Sequence, residues 1–196
     1  MEINGVPIED TFAEAFGMHM NRTIITAYTE EWARITATEA TGFGTSVIMA
    51  PAEAGIEYVL PPEKTPDGRP GVRVVFAVGS KKALEPQLLA RLGQCVLTSP
   101  TASAYDDTPD AKDLYEIGKK IAMFGDGFQT KKGPIDGRVL WFIPRMSGTC
   151  IMDNMFGRVK GVAGGNIIYC CEDVESGMTS GMAAVKAIEG VEGAYT

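Results

Sequence analysis

The sequence has little of what most enzyme chemistries depend on. Among its 196 residues are one histidine, four cysteines and two tryptophans. A Ser-His-Asp or Cys-His pair would have to use His19, which lies in GMHMNR just before a predicted strand, and no G-x-S-x-G elbow is present. No C-x-x-C occurs, and Cys95, Cys150, Cys170 and Cys171 are not spaced with His19 as zinc ligands, so no metal site is expected. The cysteines read as reduced, mostly buried thiols of a cytosolic protein rather than a disulfide framework. Neither G-x-x-x-x-G-K-[ST] nor a G-x-G-x-x-G opening a helix is available to cradle phosphates. No apolar run approaches the roughly 18 residues of a membrane-spanning helix. The start, MEINGVPIED, lacks the basic and apolar regions of a signal peptide. Positive charge is also scarce, with 18 Lys+Arg against 25 Asp+Glu and a formal charge of −7, which argues against nucleic acid as a partner.

What is present fits a folded globular chain of one or two domains, 45% hydrophobic and 22% charged. Catalysis, if any, has to rest on carboxylates, hydroxyls, amides and backbone groups. Eight of the ten methionines, Met18, Met20, Met123, Met146, Met152, Met155, Met178 and Met182, read as core or interface filling.

Local patterns predict an alternation of strands and helices. Arg22 to Tyr28 is β-branched and strand-like. Thr29 offers a cap, Glu30 and Glu31 suit the positive end of a helix dipole, and Gly42 stops that helix after Thr41. Ser46 to Ala50 reads as a short strand, followed by a long irregular stretch to Gly71 with a turn at Thr65-Pro66-Asp67-Gly68. Val72 to Val78 is a strand. Ser80 caps a helix over Leu84 to Leu92, with Pro86 in its first turn and Gly93 as its stop. Cys95 to Thr98, Lys119 to Phe124 and Arg138 to Ile143 read as strands, the last two as a hairpin or adjacent pair. Val159 to Asn166 is glycine-rich, Asn166 to Cys171 reads as a strand, and Asp173 and Glu175 precede a helix to about Ile188.

The two ends echo each other: strand, acidic cap, helix, glycine stop, once from Arg22 and once from Asn166. A lone strand-helix unit leaves sheet edges exposed. The chain therefore reads as an α+β protein, a complete lobe over residues 1–146 and the opening of a second over 147–196, with a boundary near Pro144 to Gly148. The second is completed either by more chain or by a partner subunit.

Six segments carry a resemblance to a known family: MEINGVPIEDTFAEAF at the start, TEATGFGTSVIMAPAEAGIE at 38–57, TPDGRPG at 65–71, LGQCVLTSPT at 92–101, FGDG at 124–127 and GVAGGN at 161–166. In this order they resemble the formylmethanofuran:tetrahydromethanopterin formyltransferases, over about the first two-thirds of a member. The resemblance implies two ferredoxin-like α+β lobes, a proximal lobe here at 1–146 and the start of a distal one at 147–196. It implies reversible transfer of a formyl group between methanofuran and N5 of tetrahydromethanopterin, in the one-carbon metabolism of methanogenesis and of bacterial formaldehyde oxidation. No permanently bound cofactor or metal is implied, the two coenzymes being substrates. The enzymes are cytoplasmic homo-oligomers, dimers or tetramers, and bacterial relatives sit in a transferase/hydrolase complex. A truncated or non-catalytic family member acting as a structural subunit of such a complex is the alternative.

Amide-to-amine transfer passes through a tetrahedral intermediate, which needs donors for an oxyanion and a carboxyl group to move a proton. Glu53 and Glu57 lie four apart and share a face if the segment is helical. With the resemblance, at least one of them is a candidate catalytic group, and Pro51 and Ala52 are candidate binding positions beside them; without it, both read as solvated loop carboxylates. Gln94, a catalytic candidate, and Thr98, Pro100 and Thr101, binding candidates, offer amide and hydroxyl groups, or else satisfy a buried strand end. Cys95 reads as packing. Asp67 reads as a turn residue and Arg69 as a fork for a coenzyme carboxylate. Gly164, Gly165 and Asn166 allow close approach either of a ligand or of the neighbouring lobe.

Overall fold

The computed structural model describes residues 1–12, 14–109 and 111–196. Two short strands, β1 (Glu2–Ile3) and β2 (Val6–Pro7), form a hairpin by themselves. The rest of the regular structure begins with β3 (Phe16–Thr26) and α1 (Glu30–Thr41), followed by β4 (Glu53–Leu60) and β5 (Gly71–Val78). Helix α2 (Lys81–Arg91) then leads to β6 (Ser103–Asp106), β7 (Asp113–Tyr115) and α3 (Ile117–Ala122). Strands β8 (Thr130–Ile135), β9 (Arg138–Arg145), β10 (Gly148–Asp153) and β11 (Phe156–Ala163) precede α4 (Val174–Ile188).

A sheet of nine strands runs β4-β5-β3-β6-β10-β9-β8, with β11 paired to the early part of β3 and β7 to β11. Its first four strands, taken with α1 and α2, follow the β-α-β-β-α-β order of a ferredoxin-like unit, and each neighbouring pair among them is antiparallel. The long β3 forms because it can pair on both sides, with β5 over residues 19–26 and with β6 and β11 along the other edge. α1 begins where Thr29 accepts from the Trp32 backbone N–H at 3.2 Å. It lays Ala33, Thr36, Ala37 and Ala40 on the sheet, small residues that let the backbone come close.

The core lies on the helix side. Val72, Val74, Phe76 and Val78 of β5 meet Leu84, Leu88 and Leu92, and Ile117 and Ile121 of α3 close it. Full burial of each such side chain is worth about 1.5–3 kcal/mol. A smaller apolar cluster, Ile24, Leu60, Tyr105 and Leu140, occupies the opposite side of the sheet.

Several local expectations are corrected. Residues 46–50 form a turn rather than a strand, with Ile48 and Met49 exposed, because the true neighbour of β5 is β4, inside the stretch expected to be irregular. The signal for β4 is blurred by a β-bulge between Ile56 and Tyr58. Ala54 and Ile56 pack toward the helices, Tyr58 and Leu60 toward the other side, so the alternation reverses at Glu57. Helix α2 starts at Lys81, which places Pro86 within it, and it does not stop at Gly93: a π-helical turn over Leu92–Val96 continues it. The apolar run at 95–98 is therefore a helix end and turn, not a strand. Residues 119–124 are mostly α3, whose Ile121 and Ala122 face the core; the hairpin partner of β9 is β8 instead.

Residues 146–147 turn the β9–β10 hairpin, and strands on both sides share one sheet, which continues to Ala163. Residues 166–171 are not a strand: among the described residues no strand pairs with them, and Ile167 and Ile168 are 83% and 91% exposed. Only two of the cysteines lie inside the fold, Cys150 buried and Cys95 partly so, while Cys170 and Cys171 are exposed; all four are free thiols.

Candidate functional site

The 51–57 segment sits at the outer edge of the sheet. Glu53 opens β4 and accepts from the Val47 backbone N–H at 3.3 Å, so its carboxylate holds the 44–50 turn while remaining partly exposed. Ala52 is buried and Pro51 is exposed beside it. Glu57 is 3% exposed. Its Oε2 accepts from Arg22 Nε at 3.2 Å, and Arg73 stands 3.9 Å from its Oε1. Arg73 also pairs with Asp107 and stacks over the Tyr58 ring at 4.5 Å. The two glutamates are thus on a strand rather than a helical turn, in different states: Glu57 held in a charge network, Glu53 open on one side.

Gln94 and Thr98 lie on the exposed side of the π-helical turn and the residues after it, Thr98 donating to the Gln94 carbonyl at 2.5 Å. Arg145 fixes this turn from beneath. Its guanidinium donates to the carbonyls of Leu97 at 2.8 Å, Ser99 at 2.5 Å and Ala102 at 2.6 Å, which helps hold Pro100 and Thr101 at the surface. Thr101 has φ +62°, and its hydroxyl accepts from the Tyr28 backbone N–H at 3.1 Å. Arg69 turns inward. It donates to Asp67 at 2.8 Å, the Thr101 carbonyl at 2.6 Å, Thr26 at 3.0 Å and Ser103 at 2.8 Å. Asp67 also accepts from Tyr105 at 3.0 Å, and burial pushes that phenol far above its usual value. The turn at 65–69 and the start of β6 are thereby tied together.

Glu53 and Arg69 stand at opposite ends of the β4–β5 pair. Glu53 lies opposite Ala77 of β5, whereas Arg69 stands just before Gly71. Six residues of strand separate those ends, about 20 Å at 3.3 Å per residue. Gly164, Gly165 and Asn166 follow β11 past Phe16; Gly164 has φ +87°, and a Cβ there would stand 2.7 Å from the Phe16 ring, so the glycine serves a close approach to β3. Asn166 donates to the Gly164 carbonyl at 3.0 Å.

Sequence reasoning passed over the side of the sheet away from α1 and α2. There, grooves of about 440 Å³ and 540 Å³ both include Ile24, Lys64 and Asp107 in their walls. The nearest signal was Arg22 and Arg73, single cations among apolar strand residues. Beside the second groove, Asp153 accepts from Arg138 and from the Asp106 backbone N–H. Burial pushes its carboxyl up to about 6, against the opposing pull of Arg138. Cys95 is not an activated thiol, since burial pushes its pKa up. Among the described residues no group of three or more His, Cys, Asp or Glu is placed to hold a metal ion, and no helix is long and apolar enough to cross a membrane.

Residues 1–145 match the family model described as formylmethanofuran-tetrahydromethanopterin formyltransferase, and residues 148–196 match that of the same family's proximal lobe. The chain belongs to this formyltransferase family. That second description gives the name proximal to the carboxyl-terminal segment, where the sequence reading gave it to residues 1–146. The formyltransferase of Methanopyrus kandleri is 54% identical over 198 residues, covering 100% of this chain and 67% of its own length. That of Archaeoglobus fulgidus is 50% identical over 196 residues, covering 100% and 66%. Among solved structures, the Methanosarcina barkeri formyltransferase aligns with a TM-score of 0.93 at 47% identity, over 98% of this chain and 65% of that one. The formyltransferase/hydrolase complex of Methylorubrum extorquens, solved with methylofuran, contains a chain aligning at 0.93 and 39% identity, over 98% and 64%. The chain spans about two thirds of the length of the formyltransferases it matches.

Proposed function

We propose that this chain carries the greater part of a formyltransferase moving a formyl group between formylmethanofuran and N5 of tetrahydromethanopterin. The observation that carries the reading is the 54% identity over the whole chain to a protein named for that reaction. The chemistry suits the side chains present. Amine attack on an amide needs orientation of two large substrates, donors for the developing oxyanion and a group that moves a proton. Glu53, partly exposed at the start of the edge strand, is the candidate proton carrier. Glu57 supplies fixed negative charge through its arginine pairs, and Gln94 offers an amide donor. Pro51, Ala52, Thr98, Pro100 and Thr101 are the candidate substrate contacts. Arg69 contributes by holding Thr101, and Gly164, Gly165 and Asn166 by letting the second lobe approach the first. The division into a lobe over residues 1–146 and the start of a second over 147–196 belongs to the same proposal.

Methanofuran and tetrahydromethanopterin are substrates in this reading, and no resident cofactor is invoked. A role in methanogenesis, a cytoplasmic location and assembly as a dimer or tetramer belong to the same proposal. Mixing the purified chain with both coenzymes and following formyl-tetrahydromethanopterin by absorbance tests it. Turnover is expected; a folded chain that binds both coenzymes without forming product rules the activity out for this chain. A second reading, a non-catalytic subunit within a formyltransferase/hydrolase assembly, is favoured by α4, whose Val174, Met178 and Met182 are exposed along one stripe. Light scattering of the chain alone and mixed with hydrolase subunits separates the two.

A further inference from the structure

The segment after α4 makes a contact that the transfer chemistry above does not use. Val191 donates to the Ile188 carbonyl at 2.9 Å and Ala194 to that of Val191 at 3.1 Å, and these turns swing the chain back over β4. Gly193, at φ +84°, passes over Arg22: a Cβ there would stand 3.5 Å from Arg22 Nη2. Tyr195 then sits on Gly55. A Cβ on Gly55 would overlap the Tyr195 ring and stand 3.2 Å from the Thr196 carbonyl oxygen, so glycine is required there by space. The Tyr195 hydroxyl is buried without a hydrogen-bond partner, and burial, with Glu53 nearby, pushes its pKa up to about 12. A groove of about 500 Å³ beside it has both Glu57 and Tyr195 in its walls.

α4 itself has no buried residue. Its contact stripe is Gly177, Gly181, Ala184 and Ile188, all only partly covered. Attachment of this unit to the sheet therefore falls largely to residues 189–196. Gly193 lies over Arg22, and Ala194, Tyr195 and Thr196 share a groove wall with Glu57.

We propose that Tyr195 is a positioning residue: its ring, seated on Gly55, registers the α4 unit against β4 and, through the Arg22–Glu57 pair beneath, sets Glu53 and Glu57 relative to the second lobe. The link to catalysis rests on the formyl-transfer reading; the seat does not.

Hydrogen exchange on the full 196-residue chain tests the seat. In Tyr195→Ala and in Gly55→Ala, amides of 189–196 exchange faster by about tenfold or more, while those of β3 and β5 hold. The double variant matches the single ones, because the added methyl no longer meets a ring. Tyr195→Phe behaves as wild type, since the hydroxyl has no partner to lose. A Gly55→Ala chain with unchanged exchange at 189–196, or a Tyr195→Phe chain matching Tyr195→Ala, overturns the proposal. Formyl transfer tests the catalytic link: Tyr195→Ala lowers kcat with both KM values held, and Tyr195→Phe restores it. A change in KM alone overturns that link. Absence of transfer from the wild-type chain removes the link together with the proposed function, and exchange still decides the seat.

Discussion

The units starting at Arg22 and at Asn166 are written in nearly the same local code, yet only the first becomes a strand followed by a packed helix. β3 pairs along both edges and α1 buries four residues against the sheet. Residues 166–171 have no neighbouring strand and stay irregular, and α4 buries nothing although Asp173 and Ser176 cap it reciprocally, Ser176 N–H to Asp173 at 2.8 Å. The lesson concerns what each kind of signal decides. Caps and helix formers act within one turn and favour a helix from local sequence alone. A strand is a bargain between two segments, and composition describes only one of them.

The largest expected contrast is between the cores. Phe76→Ala, in the fully buried layer of β5, lowers unfolding free energy by about 3–5 kcal/mol, while Met182→Ala on α4 moves it by no more than about 0.5 kcal/mol. Urea denaturation followed by fluorescence and far-UV circular dichroism checks both. If Met182→Ala costs as much as Phe76→Ala, the second unit is not the loosely held one described.

Glu57→Gln comes next. It removes the charge facing Arg22 and Arg73 while keeping the shape, at an expected cost of about 2–3 kcal/mol in the same measurement. Raising salt reduces this cost only modestly, because the Glu57 side chain is shielded from solvent.

Asp153 gives a pH signature that belongs to the large sheet, at the end of β10. Its folded pKa, about 6, lies above the ordinary aspartate value, so the folded state holds the proton more tightly. The stabilisation from protonation is complete below about pH 4 and is lost as pH rises through 6. Denaturation midpoints between pH 4 and 7 are expected to show that downward component in wild type and to lack it in Asp153→Asn. Equal slopes in the two proteins would show the carboxyl to be ordinary.

The smallest effect sharpens the comparison most. Thr29→Ala removes the cap of α1 and costs about 1 kcal/mol of global stability. Asp173→Ala removes that of α4, and is expected to lower helical signal locally while leaving the global midpoint in place.

How much of this was legible in the sequence follows the same division. β3, β5, β9, α1 and α4 were readable because β-branched runs, Thr29, Gly42 and Asp173 signal locally. β4 was missed because its bulge breaks the period of two. Residues 95–98 and 119–124 were taken for strands because a short buried helix segment and a buried strand are equally apolar. The π-helical turn passed through Gly93 without stopping, a geometry that leaves no local mark. At the candidate site, the family resemblance singled out segments, while the partners that fix their side chains lie far along the chain. Arg69 is engaged by Asp67, Thr101, Thr26 and Ser103, and Glu57 by Arg22 and Arg73. Nothing in composition announced that Tyr195 would rest on Gly55.

The bulge at Glu57 has one more effect. β4 is an outermost strand, and a flat border of free amides and carbonyls invites any extended peptide to add itself on. One surplus residue kinks that border and spoils the even ladder such an intruder needs, and the Tyr195 ring sits over the neighbouring stretch. The irregularity that hid this strand from its own sequence also guards it against unwanted polymerisation.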